Sequence, residues 1–152
     1  MKFRSGSWSL FFETARDADK GACADAMKLI SAARPELLAP YMDFLIGHVN
    51  YRLPRVKWGV PEAIGNLAKD YPASAARAIP NLLKNTSDDP LNTTVIRWCA
   101  AFALGEIAKY DPDARANLIP VFESKIRSEQ NRGVRNVYIK SLKAMGIRII
   151  EE

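Results

Sequence analysis

Laid over itself with a shift of 40 residues, the chain aligns without a gap, Val56–Leu82 falling on Ile96–Phe122. Nine of these 27 positions are identical: Trp58/Trp98, Ala63/Ala103, Gly65/Gly105, Ala68/Ala108, Lys69/Lys109, Pro72/Pro112, Ala76/Ala116, Ile79/Ile119 and Pro80/Pro120. Others are conservative, among them Lys57/Arg97, Ile64/Leu104 and Leu67/Ile107. A period of this length marks an architecture in which one supersecondary unit stacks on copies of itself, because a single unit cannot bury both its faces.

The pattern inside the unit is helical. Val56, Val60, Ala63/Ile64 and Leu67/Ala68 fall on one helical face, and Ile96, Ala100, Ala103/Leu104 and Ile107/Ala108 repeat it. Ala76, Ile79 and Leu82/Leu83, then Ala116, Ile119, Phe122 and Ile126, mark a second helix in each unit. Pro54 suits a first helical turn, Asn92 or Thr93 an N-cap, and Pro72 and Pro112 follow the ends of first helices. The flanks repeat more weakly. Val137–Gly146 resembles Ile96–Gly105 at a shift of 41, Pro40 precedes Pro80 by 40, and Ala22–Ala33 has the texture of a first helix. No run alternates with period two. The sequence predicts helices near 7–17, 19–33, 36–49, 54–70, 74–86, 93–110, 113–130 and 134–149. These form one all-α domain over 1–152, with helix pairs at 19–49, 54–86 and 93–130.

The unit resembles the HEAT repeat family, a helix–turn–helix of about 40 residues. The resemblance is carried by Val56-Lys57 to Ala63-Ile64-Gly65 and by Ile96-Arg97 through Ala100-Ala101 to Ala103-Leu104-Gly105. Pro61 is similar to a proline that many such repeats place in their first helix. The resemblance implies an α–α superhelix, a HEAT-type solenoid of about three and a half helical pairs. It specifies architecture more than function. Gly65, Ala68, Gly105 and Ala108 are expected to let neighbouring helices approach closely. Ile147, Ile149 and Ile150 lack a second helix to lie under; they either fold back or mark an edge for self-association.

Composition narrows the function classes. Apolar residues make up 48% and charged residues 26%, ordinary for a globular domain. The net charge of +5 is unevenly placed. Residues 1–123 carry 15 Lys/Arg against 14 Asp/Glu, whereas 124–150 carry seven basic residues against Glu129 alone. Cys23 and Cys99 lack metal-site spacing and read as reduced apolar thiols, consistent with a cytoplasmic compartment. No stretch has the length of a signal h-region or a membrane span. Asp17-Ala18-Asp19 fails the calcium-loop pattern, since position twelve is Lys28. His48 is the one histidine, and no phosphate-binding glycine motif or nucleophile elbow occurs. The expectation is a non-enzymatic chain with no cofactor and no metal.

Three readings of function compete. The resemblance implies a concave side lined by second helices, where a partner protein or peptide would meet Tyr41, Phe44, His48, Arg77, Asn81, Lys84, Asn117, Val121 and Lys125. This protein-binding scaffold is the leading reading. The alternative is nucleic-acid binding through Arg132, Arg135, Lys140 and Lys143, similar in fold to HEAT-like DNA glycosylases. Those enzymes use an acid in an aromatic cleft, and no acid stands out beside Trp58 or Trp98. A third reading is an accessory subunit of a protein-modifying enzyme, such as a bilin-lyase-like HEAT protein. Trp58 and Trp98 either form an aromatic ladder beside Lys57 and Arg97 or pack beside Gly65 and Gly105; packing is the preferred reading.

Overall fold

The structure is a computed structural model, and it describes residues 12–149. Its elements in order are α1 (Asp17–Ala33), α2 (Pro35–Leu38), a 3₁₀ turn (Ala39–Tyr41), α3 (Met42–Gly47), α4 (Pro54–Leu67), α5 (Pro72–Ala76), α6 (Ile79–Lys84), α7 (Thr94–Tyr110), α8 (Pro112–Ser128) and α9 (Arg132–Ala144). No strand occurs among the described residues.

Helices α1, α4, α7 and α9 pack side by side in chain order and form one layer. Their mutual register shows that they run parallel. Arg55 of α4 pairs with Asp25 of α1, Glu62 with Lys28, and Asn66 donates to Ser31 Oγ, so partners ascend together. The same order continues where Cys99 meets Glu62, Phe102 covers Gly65, and Ser141 lies against Gly105. Glycine is required at these crossings. A methyl group on Gly59 would sit 2.7 Å from the Ala24 carbonyl oxygen, and one on Gly65 would sit 2.8 Å from the Phe102 ring.

The buried stripe repeats from helix to helix. Val56, Val60, Ala63 and Ile64 of α4, then Ile96, Ala100, Ala103 and Leu104 of α7, are all sealed from solvent. In α9 the equivalent residues are Val134, Tyr138, Ser141 and Leu142, each 38 residues after its counterpart in α7. The N-caps agree: Thr93 accepts from the Ile96 N–H, and Asn131, 38 residues later, from the Val134 N–H. The expected shift of 41 is therefore corrected to 38. Gly146 does not take the place of Gly105. It has φ of 75° and ends α9 in a Schellman turn, with Ile147 N–H bonded to Leu142 O and Gly146 N–H to Lys143 O. This stops the helix at Ala144, short of the expected 149. Ile147 and Ile149 then pack against the core, while Ile150 and the acidic pair Glu151-Glu152 lie outside the described residues.

The second helices differ in continuity. Pro40, Pro80 and Pro120 lie 40 residues apart. Pro40 sits in the 3₁₀ turn and Pro80 follows the break between α5 and α6, whereas α8 runs on through Pro120. The expected single helices at 36–49 and 74–86 are thus segmented, as proline removes a backbone donor and crowds the preceding turn. In α8 the first turn is closed by Asp111, whose carboxylate accepts from the N–H groups of Asp113 and Ala114. Arg115 binds the carbonyls of Ala108 and Lys109 at the end of α7. At the N-terminal end residues 12–14 are helical, but Ala15 and Arg16 interrupt, so no helix continues to 17; residues 7–11 lie outside the described residues.

Candidate functional site

The second-helix candidates are largely engaged within the fold. Phe44 is only 7% exposed and stacks on His48 at 4.1 Å between ring centroids. Phe12 closes over both rings, and Tyr51 joins them. His48 Nδ1 lies 2.7 Å from Phe44 O; a carbonyl only accepts, so Nδ1 carries the proton. Tyr41 is half-buried against the core. Asn81 Nδ2 donates to Ile46 O at 2.9 Å, and the buried Asn85 donates to Val49 O at 2.8 Å. These two amides, one turn apart, bond carbonyls at and just beyond the end of α3, of which Ile46 O also accepts from the Val49 N–H. Lys125 occupies the place of Asn85 one repeat later and does the same job, its Nζ donating to Thr86 O at 3.1 Å. Arg77 pairs with Asp43, and Val121 packs on the core. Lys84 and Asn117 remain exposed.

The aromatic surface lies on the other layer. Trp58 and Trp98 are 36% and 38% exposed. Neither tryptophan covers the glycine seven residues on; Phe102 covers Gly65, and Ser141 lies against Gly105. Nor does Arg97 form a rung beside Trp98. Arg97 turns away to Glu129, with two N–H···O bonds of 3.0 and 3.1 Å, and also donates to Asn92 O at 2.7 Å. Glu129 further accepts from the Asn131 N–H. Burial of Glu129 alone would raise its carboxyl, but the bonds from Arg97 and Asn131 outweigh this and hold it below its ordinary value.

Trp98 and Phe102 stack with ring planes 2° from parallel and centroids 5.8 Å apart. They form one wall of a half-open groove of about 490 Å³ between α7 and α9. Glu106 and Lys109 extend that wall and pair with each other at 2.9 Å. The facing wall comes from α9: Gly133, Asn136, Val137, Lys140, Ser141 and Ala144. Small residues make the space, since Gly133 and Ala144 project little and Gly105 lets Ser141 seat deeply. Of the basic candidates, Lys140 lies in this groove, Arg132 and Lys143 are exposed, and Arg135 is half-buried.

Sequence reasoning missed Phe102, Glu106, Asn136 and Val137. A signal was present, because Trp98, Phe102 and Glu106 recur every four residues and so share a face of α7. The groove itself depends on how closely α9 approaches, which the stripe alone does not reveal. Glu106 lines the same groove as Trp98, with its carboxylate paired to Lys109.

Cys23 and Cys99 are free; burial pushes their thiols up to about 11 and about 12, the latter helped by the neighbouring Glu62 carboxylate. Both stay protonated at neutral pH and are poor nucleophiles. Among the described residues no group of three or more His, Cys, Asp or Glu could hold a metal ion, and no helix is long and apolar enough to cross a membrane. Comparison of the chain with protein-family models, with curated proteins and with solved structures finds no match.

Proposed function

We propose that this chain is a non-enzymatic HEAT-type helical-repeat module that binds another protein through its first-helix layer. The observation that carries the reading is the Trp98–Phe102 stack, partly open to solvent at the edge of a groove. Exposed aromatic side chains on a rigid scaffold are the residues that dominate protein interfaces. The second-helix face is the weaker candidate, because Asn81, Lys125 and Arg77 already hold neighbouring helices and Phe44 is buried. The stacking of like helices in like register supports the solenoid. The cytoplasmic assignment rests on two free, protonated cysteines.

The test is a photo-crosslinking amino acid placed in turn at Trp58, Trp98, Lys84 and Asn117 in the native cell. Adducts are expected from Trp98 and from neighbouring Trp58, with few from Lys84 or Asn117. Adducts confined to Lys84 and Asn117 would move the binding face to the second helices, and none at any position would contradict a binding role.

A further inference from the structure

We infer that the groove between α7 and α9 takes an acidic peptide segment of a partner protein that carries one bulky apolar side chain. This rests on the reading of the first-helix layer as the recognition face. The apolar part of the occupant follows from the walls. Trp98 and Phe102 form a continuous aromatic surface, and Val137 and Ala144 face it across the groove. A large apolar side chain inserted there would be covered on two sides, as interface anchors are.

The acidic part follows from charge. Helix α9 carries Arg132, Arg135, Lys140 and Lys143 and contains no Asp or Glu. At about 100° per residue, Arg132, Lys140 and Lys143 fall within about 80° of one another, away from the buried stripe of Val134, Tyr138, Ser141 and Leu142. None of the three forms an ion pair among the described residues. Glu106, the one acid among the described residues that line the groove, is matched by Lys109. The rim is therefore net positive through Lys140, and the basic face continues beyond it. Carboxylates flanking the anchor would meet these amines, which sets register and partner choice more than total affinity. Asn136, on the same wall, can both donate to and accept from an extended backbone.

A nucleic-acid strand fits less well. It needs cations spaced along successive phosphates, but the groove offers Lys140 as its one amine outside a salt bridge, and the Glu106 carboxylate lies within it.

The test is fluorescence anisotropy on the full chain with four labelled probes. The first is a short peptide with a central Phe between pairs of Glu. The second replaces Glu by Lys, the third replaces Phe by Ala, and the fourth is an oligothymidylate. The Glu/Phe probe is expected to bind, with the Lys and Ala versions each weaker by about tenfold or more. Trp98→Ala should weaken the Glu/Phe probe about tenfold. Lys140→Glu changes an exposed side chain, leaves the fold intact by circular dichroism, and should reverse the preference between the Glu and Lys peptides. Equal binding of those two peptides, indifference to Lys140→Glu, or tighter binding of the oligothymidylate would overturn the inference. If the Glu/Phe probe fails while Trp98 still yields protein adducts in cells, the inferred occupant is wrong and the binding module stands. If the adducts are also absent, the binding module fails as well.

Discussion

Glu129 is the lone acid in the basic C-terminal region, and its position explains why. Its side chain is 6% exposed and accepts from Arg97 of α7 and from the Asn131 N–H that precedes α9. One carboxylate thus ties the end of α8 to the helices on either side. Its folded pKa is depressed, so its stabilisation is fully present above the ordinary value of 4.5 and is lost as pH falls through the lower folded value. Glu129→Gln should lower stability at neutral pH by roughly 2–4 kcal/mol, since Arg97 loses its partner. It should also flatten the acid limb of a stability-versus-pH curve measured by urea unfolding; an unchanged acid limb would show that Glu129 is not the group responsible. Tyr138 presents the opposite case. Its ring packs against Phe122 at 5.3 Å, but its hydroxyl is buried without a hydrogen bond of normal geometry among the described residues, since the nearby Thr86 hydroxyl donates to Leu83 O instead. Burial, reinforced by the Glu129 charge, pushes the phenol well above its ordinary range. Tyr138→Phe keeps the ring and removes the orphan, so it is expected to be neutral or stabilising by up to about 1 kcal/mol. A clear loss in thermal denaturation would mean the hydroxyl has a partner.

At the level of the helices, the glycines divide into two kinds. Gly59 lies where α4 crosses α1, and an added methyl would strike backbone atoms of Ala24 that cannot swing aside. Gly47, the last residue of α3, has open space around it and an ordinary φ. Gly47→Ala should therefore stabilise by about 0.5 kcal/mol through the unfolded chain, while Gly59→Ala should destabilise by roughly 1–3 kcal/mol despite its gain in helix propensity. Chemical denaturation of the two variants checks the contrast, and a stabilising Gly59→Ala would show that the helices can separate freely there. These elements also show what the sequence could convey. Thr93, Pro112 and the stripe from Ile96 to Ala108 announced α7 and α8, because caps and helical periodicity are local signals. The breaks near Pro40 and Pro80 were less legible, since Pro120, in the equivalent place, interrupts nothing. The register of α9 was misread because Ala144-Met145-Gly146 resembles Ala103-Leu104-Gly105 in letters while Gly146 adopts the left-handed conformation of a helix cap.

For the whole molecule, the all-helical class was legible, while which polar side chains stay free on the surface was not. Residues outside the apolar stripe of a second helix look solvent-facing in sequence, yet Asn81 and Lys125 reach across to carbonyls about one repeat away, and those distances arise only on stacking. The stack depends on a shared dry seam. Leu104 has no solvent exposure and sits in α7, which packs against both α4 and α9. Leu104→Asp would leave an unpaired charge there and should unfold the protein, as the penalty rivals a total stability of ~5–15 kcal/mol. A variant that retains its helical circular dichroism and melting temperature would contradict the seam. The proposed recognition through the first-helix layer can be followed residue by residue by NMR. The Glu/Phe peptide would be titrated into the nitrogen-15-labelled chain while the indole N–H signals of Trp58 and Trp98 and the side-chain amides of Asn81, Asn117 and Asn136 are followed. Shifts are expected at Trp98 and Asn136, with a smaller shift at Trp58 and none at Asn81 or Asn117. Shifts at Asn81 and Asn117 with Trp98 unmoved would contradict it.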